Sequence, residues 1–319
     1  MALTLNTFAS ASAIGNREDL TDIIYRISPT ATPFINMAAK TTAKATLHEW
    51  QVQDLASAAT NKATEGADAT TKTVTPTVRL RSYAQISTKS VSVSNTQNAV
   101  LSAGRGKDEM GYQMGLASLE LKRDMEYGIH QGVASAGTTG SSPRQVNTLG
   151  VWLNDNYDAG ASFSAGTYLS AGQGTATGTN NTDGTQAAFT ESRLKNVLQK
   201  IFTAGGEPDT ILLPPGAKQT FSSFTGNATR FDKSEDAKLY ASVDVYVSDF
   251  GELSAIPSRF QRTRDVWVLQ SDKWAIAYLR PFQTFDLATT GDAVNKQIVA
   301  EYAIEARAPK SSGAVYDIL

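Results

Sequence analysis

The sequence predicts an α+β chain assembled from several parts rather than folded around one core. Three observations carry that reading. The 319 residues exceed what a single compact core usually holds. Helical periodicity fills the middle of the chain, above all a long stripe over 107–133, whereas the last third alternates apolar and polar residues with a period of two. Two further stretches, 54–73 and 154–186, are so rich in small and polar residues that neither builds a core of its own.

Composition removes several function classes. Twenty-nine basic against 31 acidic residues leave a formal charge of -2, which supplies no drive toward phosphate backbones or anionic membranes. Cysteine is absent, so disulfides, thiolate nucleophiles and sulfur metal sites are excluded together, as fits synthesis in a reducing cytoplasm. The opening MALTLNTFASASAIGNRED has neither a basic start nor a continuous apolar run. No stretch approaches the roughly 20 apolar residues of a membrane span, so neither a cleaved signal nor membrane insertion is expected.

Taken in chain order, Asn16 caps a short helix whose face is Leu20, Ile23, Ile24 and Ile27, and Ser28-Pro29 and Thr32-Pro33 stop it. Residues 1–45 therefore read as an arm. From Thr46 to Asp54 the run LHEWQVQD puts His48, Trp50 and Val52 on one strand face. A matching run puts Val74, Pro76, Val78 and Leu80 on one face, while Val91 and Val93 fall in the opposite phase, so a bulge or bend is expected between Leu80 and Val91. Together 46–94 read as a long β-hairpin with a polar tip. An isolated two-stranded hairpin is marginal in water, so this one must lie on another surface. Trp50, Val52, Val78 and Leu80 are the candidate residues for contact with an adjacent subunit.

The helix over 107–133 carries Leu121, Met125, Ile129 and Val133 at four-residue steps, extended toward its start by Tyr112, Leu116 and Leu119. Glu120, Lys122, Arg123, Asp124 and Glu126 read as its charged remainder. At 1.5 Å per residue it is a rod of roughly 40 Å, long enough for the C-terminal strands to pack across it. The stretch 154–186 reads as a surface excursion with Phe163, Tyr168 and Leu169 among its few large apolar residues. TESRLKNVLQKIFTAGG then gives a helix capped by Thr190 and ended by Gly205-Gly206, PDTILLPP a buried strand, and 216–224 a short helix. Strand-like runs follow at 243–247, 266–270, 274–278 and 297–306, and no repeat of fixed period emerges.

Chemistry has little material to work with. His48 and His130 are the only histidines, too few for a multi-histidine metal site, and both read as structural. There is no nucleophile elbow and no phosphate-binding loop, and Gly104-Arg105-Gly106 lacks the third glycine of a dinucleotide fingerprint. The acidic pairs Asp244 with Asp249 and Asp108 with Glu109 have no spacing that separates general acid from general base. No catalytic, cofactor-binding or metal residue is therefore assigned. A carboxylate-only glycoside hydrolase, resting on tyrosine and tryptophan content alone, is the enzyme alternative.

The phrases IYRISPTATPFINMAAK, TLHEWQVQDLA, EGADAT, YAQISTKSVSVSNTQNAV, LASLELKRDMEYGI and VSDFGELSAIPSRF, in this order, resemble the major capsid proteins of tailed phages. The resemblance covers most of the chain outside the Gly-rich stretch and implies the Hong Kong 97-like capsid fold. Its parts would be an N-terminal arm over 1–45 and an extended β-hairpin loop over 46–94. A peripheral domain with spine helix and Gly-rich excursion would take 95–188, an axial domain 189–279, and return strands of the peripheral domain 280–319. It also implies a structural, non-enzymatic, cofactor-free subunit that self-assembles through hexamers and pentamers into an icosahedral shell. That shell would enclose double-stranded DNA, held by confinement given the near-neutral charge. Assembly in the host cytoplasm, a place in the virion, and portal, scaffolding or decoration proteins as further partners belong to the same implication. Some relatives crosslink a lysine to an asparagine of another subunit, but Lys62 and Lys72 near the loop tip read as exposed solubilising lysines. The alternative of the same broad class is a fibre or decoration subunit, although the repeats of fibres are absent.

Overall fold

The computed structural model describes residues 30–68, 71, 73–74, 76–100, 108–131, 143–170, 178–224, 245–289 and 291–319. The helix expected over 16–27, the Gly104-Arg105-Gly106 segment, Lys72, Val133 and Asp244 lie outside them.

Two sheets and one long helix organise the chain, with short helices α1 (Pro33–Met37) and α2 (Asn95–Ala99). Strands β1 (Ala39–Thr42), β10 (Trp274–Asp286), β11 (Ala293–Ala306) and β4 (Gln85–Ser94) form a four-stranded sheet in that order. β1 is parallel to β10, and the other pairings are antiparallel. The second sheet runs β5 (Tyr157–Asp158), β12 (Gly313–Val315), β9 (Val266–Leu269), β6 (Thr210–Leu213), β8 (Gly251–Pro257) and β7 (Val245–Ser248). β2 (Leu47–Val52) and β3 (Val78–Tyr83) form a separate two-stranded sheet.

Helix α3 (Glu109–Gln131) starts at Asp108, whose carboxylate accepts the Gly111 N–H at 2.8 Å. Its 23 residues make a rod of about 35 Å. Met110, Ala117, Leu121, Met125 and Ile129 are the buried stripe, and α3 lies along β4 and β11. Leu121, Met125 and Ile129 share one core with Trp267, Trp274, Ile276, Ile298, Tyr302 and Ile304. Two expectations need correcting. Leu119 is 41% exposed, so the stripe passes through Ala117 instead, and Glu126 is completely buried rather than part of the charged face.

A second core forms where α5 (Glu191–Thr203) turns Leu194, Val197, Leu198 and Ile201 against the six-stranded sheet, beside Phe221 of α6 (Pro215–Ser222). The period of two along β9 divides its side chains between the cores: Trp267 and Leu269 face the α3 core, Val266 and Val268 the α5 core. Such a strand, apolar on both faces, is what PDTILLPP and DVWVLQ encode. Thr190 holds the N-cap position of α5 without a side-chain capping bond. The other end closes as anticipated. Gly205, at φ +89°, donates to the Phe202 carbonyl and Gly206 to the Ile201 carbonyl, a Schellman arrangement.

The hairpin differs from expectation at its second strand. The bend falls at Ala84, between β3 and β4: β3 pairs with β2, whereas β4 leaves the hairpin and joins β11. This accounts for the change of phase between Leu80 and Val91, since the two residues belong to different sheets. The anticipated break at 279/280 does not coincide with an element boundary, because β10 runs through it to Asp286. Likewise β12, in the last forty residues, joins the six-stranded sheet rather than the four-stranded one.

The described parts of the Gly-rich stretch are fastened down. Leu169 is buried, Phe163 stacks on Tyr316 with centroids 4.7 Å apart, and Tyr168 stacks on Trp152 at 4.9 Å. Its glycines permit close backbone approach: a Cβ at Gly160 would stand 1.9 Å from the Thr185 carbonyl oxygen, and one at Gly166 2.1 Å from that of Thr179.

Candidate assembly surfaces

The two-stranded hairpin has an anchored base and an exposed far end. At the base, Trp50 Nε1 donates to the Ala306 carbonyl at 2.8 Å, and its ring lies 5.5 Å from that of Trp152 in α4 (Leu149–Trp152). His48 Nε2 sits 3.0 Å from Glu305 Oε2 on β11. On β3, Leu80 is buried and bridges to Ser170, and the Arg81 N–H reaches the Leu169 carbonyl. Beyond this base every described residue from Gln53 to Arg79 is exposed, including Leu55 at 96% and Val74 at 82%.

The four candidate contact residues thus divide. Trp50 and Leu80 place their apolar surface inside their own chain, Val52 is half-buried against the same core, and Val78 is 47% exposed. The alternation in LHEWQVQD correctly marks an apolar face. It does not say that the first body met by that face is the chain's own β11, more than 250 residues away.

The His48 contact has an electrostatic consequence. The hydrogen bond from His48, with Arg307 Nε at 3.0 Å as second donor, holds the Glu305 carboxyl down at about 2. A carboxyl depressed in the folded state stabilises above its ordinary range, and that contribution is lost as pH falls through the range toward about 2. Hydrogen exchange of the β2 and β3 amides should therefore rise over that acid interval, and Glu305→Gln should remove the step; unchanged acid sensitivity in the variant would detach the hairpin from this pair.

Two further surfaces carry large apolar residues. β1 stops at Thr42 opposite Tyr278 while β10 continues to Asp286, and among the described residues no strand covers that edge of β10. Phe282, Phe285 and Leu287 are 40–43% exposed there. The sequence reading ended this strand at Tyr278 and missed them, although Phe285 and Leu287 continue an alternating pattern. The second is β7, the last strand of the six-stranded sheet, with Val245 and Val247 turned outward. His130 is wholly buried between Glu126, Phe34 and Trp267, and among the described residues no cluster of three or more potential metal ligands occurs.

The sequence matches the family described as SU10 major capsid protein over residues 3–319. The chain belongs to that family. It is a structural capsid shell protein and not an enzyme. Among curated proteins, the capsid subunit is 27% identical to the major capsid protein of Escherichia phage Phieco32, across 97% of this chain and 96% of that protein. Solved structures of low sequence identity share its fold. The capsid of a native GTA particle, computed with C5 symmetry, matches with a TM-score of 0.64 at 9% identity over 99% of this chain and 100% of that one. A chain of Mycobacterium phage Adephagia matches with a TM-score of 0.61 at 10% identity over 97% and 98%. The α+β architecture is thus that of phage capsids, and the protein is a component of the virion.

Proposed function

We propose that the subunit closes into hexameric and pentameric rings of an icosahedral shell around double-stranded DNA, with the hairpin beyond Gln53 lying on a neighbouring copy. The observation that carries this reading is the hairpin itself, anchored at Trp50 and Leu80 and exposed at every described residue from Gln53 to Arg79. A two-stranded ribbon of that kind is marginal in water and is completed by another surface. In a closed ring each copy presents a different patch to each neighbour, so the hairpin of one subunit meets the body of the next. Val78, with Val52 at the edge of the anchored base, is the part of the apolar face left for that neighbour.

On this reading α3 with the four-stranded sheet is the peripheral part and the six-stranded sheet with α5 the axial part. Assembly takes place in the host cytoplasm, and portal, scaffolding or decoration proteins act at the level of the shell. DNA is held by confinement, since a formal charge of -2 leaves little counterion release to drive binding.

Deleting Ala56 to Thr71 tests the assignment. The variant should remain a folded, soluble subunit, because none of the described residues among those deleted contributes to either core. Electron microscopy should show loss of shells and ring-shaped capsomers relative to the unaltered protein. Normal shells from the deletion would refute the role given to the hairpin.

A further inference from the structure

The last residues close on a group of five charges, of which Asp265 and Asp317 are buried, Arg262 and Arg264 half-buried and Asp183 exposed. Asp183, Asp265 and Asp317 face Arg262 and Arg264. Arg262 Nη2 donates to both carboxylate oxygens of Asp183 at 2.6 Å. Arg264 Nη2 donates to Asp317 at 2.6 Å, and the Gly184 N–H donates to the other Asp317 oxygen at 2.9 Å. Both guanidiniums are therefore already engaged. Asp265 is only 2% exposed, and its ion pair with Arg262 Nη1 spans 3.6 Å, too long for a hydrogen bond.

Charge counting then decides the protonation state. With all five groups ionised, three carboxylates oppose two guanidiniums, and of the two buried carboxylates the uncompensated charge falls on Asp265, which unlike Asp317 accepts no hydrogen bond from either arginine. A buried carboxylate in that position takes up a proton in preference to remaining charged. Burial is the main cause; Arg262 opposes it, Asp183 and Asp317 reinforce it, and the Asp265 carboxyl is pushed up to about 7. His130, on α3, and Asp265 line one cavity of about 240 Å³, and the Tyr316 hydroxyl donates to the carbonyl of Gly150, another residue of its wall.

We propose that this cluster is a proton-linked latch on the C-terminal segment, closed while Asp265 holds a proton and loosened when it ionises. Four stretches of chain meet at the latch. Arg264 donates to the Gly184 carbonyl, its own carbonyl accepts the Ile318 N–H at 2.9 Å, and Leu319 N–H reaches the Ala187 carbonyl at 3.0 Å. Asn181 ties the same stretch to Gly150 at 3.1 Å. Opening exposes Asp265 to water and returns it to its ordinary acid range. The folded group is thus raised above the open one: the closed state is favoured at low pH, and the advantage is lost as pH rises through that range up to about 7.

The test is hydrogen exchange at the amides of Gly184, Ile318 and Leu319 in the full-length protein, normalised for the intrinsic pH dependence of exchange. The opening equilibrium should increase about tenfold per pH unit from roughly pH 5 to 7. Asp265→Asn, which keeps the neutral form at every pH, should abolish that dependence. Equal normalised slopes in the two proteins would overturn the latch. If Asp265→Asn does not fold, carbon-13 titration of the Asp265 carboxyl in the unsubstituted protein takes its place. An inflection close to neutrality supports the proposal, and one in the ordinary aspartate range refutes it.

Discussion

Ile129→Asp is expected to abolish folding of the subunit, whereas Lys122→Asp, one helical face away, leaves it folded. Ile129 is completely buried among Met125, Trp267, Trp274 and Tyr302, in the core that joins α3 to both sheets. An aspartate there loses the apolar contacts and places a carboxylate where no cation is at hand, at several kcal/mol. That loss is comparable to the whole stability of a typical domain, about 5–15 kcal/mol. Lys122 donates one exposed hydrogen bond, to Asn36 Oδ1 at 2.7 Å, and its replacement costs about 1 kcal/mol or less. Soluble yield and thermal unfolding of the two variants make the comparison. Equal tolerance at the two positions would mean that α3 does not carry the core.

The contrast between those positions was legible in the sequence because helical periodicity is a local signal. Leu121, Met125 and Ile129 recur at four-residue steps whatever they pack against, and the Gly205-Gly206 stop of α5 is settled within six residues. What the sequence does not carry is the partner of each face. The apolar side of β2 was evident, but that Trp50 ends on the Ala306 carbonyl depends on a pairing across 256 residues. β1 and β12 are short, and their extended form is imposed by β10 and β9 alongside, so no local pattern announces them. Composition left the order of 154–186 open, because a stretch poor in large apolar residues has no local signal for what holds it. In place, Gly160 and Gly166 let backbones touch, and Phe163, Tyr168 and Leu169 pin the described parts of the stretch to Tyr316, Trp152 and the core. Glu126 shows the same limitation for charge: among Glu120, Lys122, Arg123 and Asp124 nothing marks it as the one carboxylate turned inward.

Glu126→Ala is expected to release the segment 30–43 from the body and lower the unfolding temperature markedly, with Glu126→Gln falling between it and the unaltered protein. The reason lies in helix α1 (Pro33–Met37), which begins in the core without a cap of its own: Thr32 stands at the N-cap position and makes no side-chain bond. Pro33 has no N–H to satisfy, which leaves the Phe34 and Ile35 amides as the orphan donors of the first turn. Glu126 reaches across from α3 and accepts both, at 2.8 and 3.0 Å, with His130 Nε2 3.1 Å from the same carboxylate. A negative charge at a helix start is favourable, and here it also fastens the chain that runs on into β1 beside β10. Truncation to alanine leaves two buried amides unpaired, each costing about 1–3 kcal/mol, together with a cavity beside Phe34. Glutamine keeps one acceptor oxygen but turns an NH2 donor toward the second amide, so about half of the loss should remain. Protease cleavage within 30–43, followed against the thermal midpoint, separates this account from general weakening. Cleavage should appear below the unfolding temperature in Glu126→Ala and not in the unaltered chain. A variant with an unchanged midpoint and a protected segment would show that α1 is held by Phe34 and Ile35 packing alone.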